Sequence, residues 1–201
     1  MQPNQPHYAK FETVFGPGNV GNSEKVRELL FWSREFQRAG LVPDPRIKKG
    51  GNLSFRADDG FVITPSAIPF NDLTIEDFVR ITRVDTVANK VYAVGNRVPA
   101  SEAMLHEAVY REFPGVKAVF HGECAAITNN AEALGLAVTK RFQPYGTVDL
   151  ANEVLESFRS ASGSGCVVMR DHGEVYVGGS IREAGEAAFS VLGSVKSKGY
   201  L

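Results

Sequence analysis

Two histidines in this chain stand where an apolar run stops and a glycine follows. His121 closes Ala118-Val119-Phe120, and His172 lies just beyond Cys166-Val167-Val168-Met169. Glu123 is two residues past His121. On a strand, residues two apart share a face, with Cβ atoms roughly 6–7 Å apart. His121 and Glu123 could then converge on one divalent ion, with His172 delivered by the second strand as a third ligand. A lone His-x-Glu at a strand end is more often a solvated edge. Two apolar strands that both end in His-Gly form a better signal, because ligands gather where strands stop and backbone can approach closely. Cys124, beside Glu123, reads as a small buried residue at a strand-to-helix junction.

These residues need elements to carry them. Met104, Leu105, Ala108 and Val109 recur at helical spacing between the Pro99–Ser101 start signal and the Pro114-Gly115 stop. This helix would place Glu102 at its start, near the His121 strand that follows. His106, one turn further on, could orient Glu102, although a hydrogen-bonded core histidine is the simpler role.

Upstream, residues 1–22 are rich in Pro, Gly, Asn and Gln and read as a loose N-terminal arm; residues 23–201 read as one domain. Ser23 and Gly40 bracket a helix with Val26, Leu29, Leu30 and Phe36 inward. Trp32 is expected in the core or at a subunit contact. Arg46, Lys48 and Lys49 precede Gly50-Gly51 and could meet an anionic substrate, a solvated loop being the safer reading. Asp58-Asp59-Gly60 turns a hairpin between 52–56 and 60–63. Thr74 to Asp77 has capping-box spacing. Strands follow at 78–84 and 91–94.

Downstream of Glu123, a helix is predicted from Ala125 to about Leu134 and a short segment near 137–142. Thr147 caps a helix to about Ser160, and Ser180-Ile-Arg-Glu183 caps a last helix to about Lys198. Strands come mostly in hairpins with helices between the pairs. This predicts an α/β fold with a central antiparallel-rich sheet and helices on both sides.

Composition narrows the function classes. The chain has 201 residues, 43% of them hydrophobic, enough for a full core. A net charge of −1 gives no electrostatic footprint for nucleic acid or a membrane surface. Two cysteines make no disulfide framework, and the N-terminus lacks a signal peptide's apolar stretch, so a cytoplasmic setting is expected.

In this order the chain resembles the class II aldolase/adducin head family. The resemblance spans about residues 24 to 195. It rests on Gly51-Asn-Leu-Ser54, Ile63-Thr-Pro-Ser-Ala-Ile-Pro69, and Pro99-Ala-Ser-Glu102 with His106 and Tyr110. It continues in Ala118-Val-Phe-His121, Pro144-Tyr-Gly-Thr147, and His172-Gly173 with Arg182-Glu-Ala184. The resemblance implies a three-layer fold, commonly a homo-oligomer, a tetramer. It implies a small-molecule substrate and a divalent metal, zinc first, with manganese or iron as alternatives. Metal ligands fall at His121, Glu123 and His172, and the acid/base carboxylate at Glu102. Substrate phosphate falls at Asn52, Ser66, Ala67, Ala100 and Ser101. The implied activity is aldolase-type cleavage of a small hydroxy-carbonyl compound, with epimerisation, dehydration or a non-catalytic adducin-like scaffold as alternatives.

Four departures matter. Glu123 replaces a histidine; one carboxylate ligand lowers the ion's net charge and favours harder ions. Ala67 replaces a glycine, where a positive φ would be strained. Ala100 replaces a serine and removes a hydroxyl donor. The segment between Glu123 and Pro144 is short, and a strand and a proton-donating tyrosine of typical aldolases fall in the missing stretch; Tyr145 is not that tyrosine.

Overall fold

The computed structural model describes residues 10–44, 47, 50–161 and 163–201. The basic loop residues Arg46, Lys48 and Lys49 lie outside the described residues. In chain order the strands are β1 (Glu12–Gly16), β2 (Asn52–Ala57), β3 (Gly60–Ile63), β4 (Val79–Asp85), β5 (Lys90–Val94), β6 (Ala118–Gly122), β7 (Ala137–Val138), β8 (Cys166–Met169) and β9 (Gly173–Gly178). The helices are α1 (Glu24–Ala39), α2 (Ala103–Glu112), α3 (Ala125–Thr128), α4 (Val148–Ser160) and α5 (Ile181–Ser197).

The predicted caps form. Ser23 Oγ accepts the Val26 N–H at 3.3 Å, and Gly40 closes α1 at φ 73°. Thr147 accepts the Leu150 N–H at 3.2 Å, and Ser180 accepts the Glu183 N–H at 3.1 Å. The Thr74–Asp77 box is made in both directions around a single 3-10 turn.

The described strands form one sheet in the order β1-β5-β4-β3-β2-β6-β9-β8-β7. Its interior pairings are antiparallel; the two outermost, β1–β5 and β7–β8, are parallel. On one face, α1 and α5 cover Leu53, Phe55, Phe120 and Tyr176 with Phe36, Ala184 and Leu192. On the other, α2 and α4 cover Val119, Val167 and Val175 with Leu105, Val109 and Val154. Helices thus lie on both sides, as expected. No described helix is long and apolar enough to cross a membrane.

Trp32 packs between Phe120 and Phe189, with ring centroids 6.5 and 5.8 Å away. It lies over Gly185, where an added Cβ would come within 2.5 Å of the indole. A side chain at position 185 would displace the ring.

Two expectations are corrected. The loose arm is not loose throughout: Glu12–Gly16 is an edge strand, with Phe11 and Thr13 buried beside it. Thr, Val and Phe favour strand, but the partner, β5, lies far along the chain and leaves no local trace. The helix from Ala125 ends at Thr128 instead of continuing to Leu134. Asn129 and Asn130 follow, and the Asn130 side chain donates back to the Ala126 carbonyl at 2.9 Å, a local bond that competes with helix.

Candidate metal centre

The centre is assembled where β6, β9 and the start of α2 meet. All five residues of β6 are buried. His121 pairs with Asn52 on one side and Val175 on the other. Its Nδ1 lies 3.0 Å from the Glu174 carbonyl, so Nδ1 carries the proton and Nε2 is left to face the site. Glu102 forms the N-cap position of α2 and is buried. Asn52 Nδ2 donates to its Oε2 at 2.8 Å. His172 follows Asp171, which sits at φ 56° in the turn between β8 and β9. Aspartate tolerates that left-handed conformation better than most residues.

The three side chains converge. His121 Nε2 is 3.0 Å from Glu102 Oε2, and His172 Nε2 is 3.3 Å from Glu102 Oε1. One ligand atom from each of Glu102, His121 and His172 can be chosen within 4.8 Å of the others. Ligand atoms about 2.1 Å from a tetrahedral ion stand about 3.4 Å apart, so this spacing suits a bound metal. The buried Nε2 of His121 and Oε1 of Glu102 make no hydrogen bond. Buried polar atoms of this kind beside His172, with the His121 tautomer fixed, fit a divalent cation.

Glu123 stands at the edge of this group. Its Oε1 is 3.6 Å from His121 Nε2, with the side chain 10% exposed. Gly50 makes room for it: a Cβ there would fall 2.5 Å from the carboxylate. The structure therefore brings His121 and His172 together as expected. It places Glu102 in the tightest trio, with Glu123 beside His121.

Burial works to raise the Glu102 carboxyl, but His121, then His172 and the Asn52 amide, outweigh it and hold it well below the usual carboxylate range. Burial works against the His121 imidazolium, yet the charges of Glu102 and Glu123 lift it well above the usual imidazole range.

Beneath the centre lies a polar cluster. Ser54 Oγ is 2.6 Å from His106 Nδ1 and 2.7 Å from the Tyr110 hydroxyl. His106 is pushed down to about 3, chiefly by burial, and so is neutral. It is the hydrogen-bonded core histidine anticipated above.

The expected phosphate residues also meet. Ser66 N–H donates to the Val98 carbonyl at 2.9 Å, and Ala100 N–H to the Thr64 carbonyl at 3.2 Å, which joins their two loops. Ala67 does adopt a positive φ, 63°. Asn52, Ser66 and Ser101 line one cavity of about 740 Å³ together with Glu102, Glu123 and His172.

Two features escaped the sequence reading. Lys10 and Tyr145 also line this cavity, Lys10 coming from the supposed loose arm. Glu174 is wholly buried behind the centre. Its Oε1 accepts the Cys124 N–H at 3.1 Å on the sheet face that carries Tyr176. A signal existed for Glu174: His-Gly-Glu occurs twice, at 121–123 and 172–174.

A family model described as the class II aldolase and adducin N-terminal domain matches residues 27–196. The chain belongs to that family. Among curated family members, it is 40% identical over 73 residues to the methylthioribulose-1-phosphate dehydratase of Enterobacter sp. (strain 638), covering 36% of this chain and 33% of that one. It is 36% identical over 106 residues to the L-fuculose phosphate aldolase of Escherichia coli (strain K12), covering 51% and 45%. The match thus spans a third to a half of the length of these relatives. A longer match, 28% over 183 residues, joins it to the 5-methylthioribulose-1-phosphate/5-deoxyribulose-1-phosphate aldolase of Rhodospirillum rubrum, covering 79% and 78%. Among solved structures, an L-fuculose 1-phosphate aldolase superposes with TM-score 0.72 at 22% identity, covering 88% and 85%, which establishes the fold.

Proposed function

We propose that this chain is a metal-dependent lyase of the aldolase type, acting on a small hydroxy-carbonyl compound. The observation that carries this reading is the convergence of Glu102, His121 and His172, with Glu102 and His172 lining an open cavity. His121, His172 and Glu123 would hold a divalent ion, zinc first, with manganese or iron as alternatives. The ion, when bound, supplies Lewis acidity toward the carbonyl and hydroxyl oxygens of the substrate. Glu102 moves the proton. Its Oε2 is steadied by the Asn52 amide, and its Oε1, 3.3 Å from His172 Nε2, is the atom that would take it. Asn52, Ser66 and Ser101 orient the substrate. A homo-oligomeric assembly in the cytoplasm belongs to the same reading.

Dehydration is the second reading, supported by the match to a methylthioribulose-1-phosphate dehydratase. It would use the same proton transfer beside the carbonyl. Product analysis separates the two on a panel of phosphorylated and free C3–C6 hydroxy-carbonyl compounds with Zn²⁺, Mn²⁺ or Fe²⁺. Two carbonyl fragments mean a lyase. One product of unchanged carbon number that has lost water means a dehydratase. A metal-loaded protein inert over the whole panel would point to an adducin-like scaffold.

A further inference from the structure

Ala100 leaves the cavity one hydroxyl donor short of the family pattern, yet a charged donor lines the same cavity. Lys10 is the one lysine or arginine among the described residues that line the cavity. Its backbone is tethered: the Lys10 carbonyl accepts from Asn89 Nδ2 at 2.6 Å, and Phe11, next in the chain, is 3% exposed. Its stem runs along Gly146. A Cβ at Gly146 would meet Lys10 Cβ and Cδ at 3.6 Å and the Ser101 carbonyl at 3.1 Å, so the glycine lets Lys10 and Ser101 approach from two sides. The ammonium lies 4.1 Å from the centroid of the Tyr145 ring. A cation–π contact holds the charge in place without neutralising it. No carboxylate of the described residues forms an ion pair with it.

We propose that Lys10, poised on Tyr145, is the charged donor of an anion subsite completed by the hydroxyls of Ser66 and Ser101, and that it selects substrates carrying a phosphoryl group. The inference rests on the lyase reading for what the cavity is. It adds a residue that chooses among substrates. The lysine charge takes over from the hydroxyl absent at Ala100. It comes from the chain just ahead of edge strand β1, and His121 from β6, so the metal centre need not change with it.

The test uses inorganic phosphate as probe on the full-length protein as purified, by calorimetric titration, with bound metal measured in parallel. Wild type is expected to bind phosphate. Lys10→Ala should weaken that binding about tenfold or more, since a charge-assisted hydrogen bond is lost. Lys10→Arg should stay within a few-fold of wild type, with metal content the same in all three. Phosphate binding unaffected by Lys10→Ala would overturn the proposal. So would wild type that binds no phosphate, or binding that His172→Ala abolishes and Lys10→Ala leaves intact, which would put phosphate on the ion. Lys10-dependent phosphate binding by a protein that takes up no metal would overturn the lyase reading and leave the subsite standing.

Discussion

His121 Nε2 and Glu102 Oε2 lie 3.0 Å apart, both buried, yet they are not aligned as a hydrogen bond. Two buried groups of opposite charge this close form an ion pair out of reach of solvent. Breaking such an arrangement from either side is costly, because the partner left behind is a buried charge.

The two carboxylates at this centre should separate by experiment. Glu123→Gln is expected to lower bound metal, as is His172→Ala, because each removes a proposed ligand. Glu102→Gln keeps the size of the side chain and should retain metal, while turnover falls by roughly 10²–10⁴. Elemental analysis beside a rate assay reads both. Metal lost from Glu102→Gln and kept by Glu123→Gln would exchange their roles.

Ala67 at φ 63° predicts a stabilising substitution. An alanine in the left-handed region costs about 1–2 kcal/mol, and a glycine in its place gives back about 0.4–1 kcal/mol through the looser unfolded chain. Ala67→Gly should therefore raise stability by about 0.5 kcal/mol in urea denaturation. A lower midpoint would show that the methyl is needed by its neighbours.

Glu174 predicts a pH-dependent gain. Burial pushes its carboxyl up to about 7, against the opposing Cys124 N–H bond. Below about pH 4.5 the folded and unfolded chains both hold the proton, and the group is neutral to stability. Between there and about 7 the unfolded chain releases it first, so the group costs more as pH rises, up to on the order of 3 kcal/mol. Glu174→Gln should match wild type near pH 4.5 and exceed it at pH 8, in urea melts of chelator-treated protein. A difference that does not grow with pH would place the Glu174 carboxyl in the ordinary range.

Gly185 predicts a local clash with a clear optical readout. The chain has a single tryptophan, so its fluorescence reports Trp32 alone. Gly185→Ala adds a methyl where the indole lies. Overpacking of this kind costs about 1–3 kcal/mol, only partly offset by the better helix propensity of alanine. Lower stability with a shifted emission maximum is expected. Unchanged emission would mean that the ring has room to move.

The parts legible in the sequence were those written in local chemistry. Ser23, Thr147 and Ser180 announce their helices by capping, and Asp58-Asp59-Gly60 announces its hairpin. His121 and His172 show themselves by ending apolar strands. What stayed hidden was long-range. β1 could not be read because its partner is β5, and Lys10 was hidden with it. Glu102 was read as a group near the centre; that its carboxylate would come closer to both histidines than Glu123 depends on how α2 seats against β6, which no local spacing encodes. Glu174 was hidden because an acidic residue at a strand start ordinarily faces water.

Lys10 and His121 stand beside strands of unlike permanence. β6 is flanked by β2 and β9 and is buried throughout. β1 is bonded on one side only, to β5. An edge strand opens at less free energy than the centre of a sheet. Amides of Glu12–Gly16 should therefore exchange with solvent well before those of Ala118–Gly122. On the proposal above, such openings would loosen Lys10, just ahead of β1, while His121 stays in place, so a product would be let go from its phosphoryl end first.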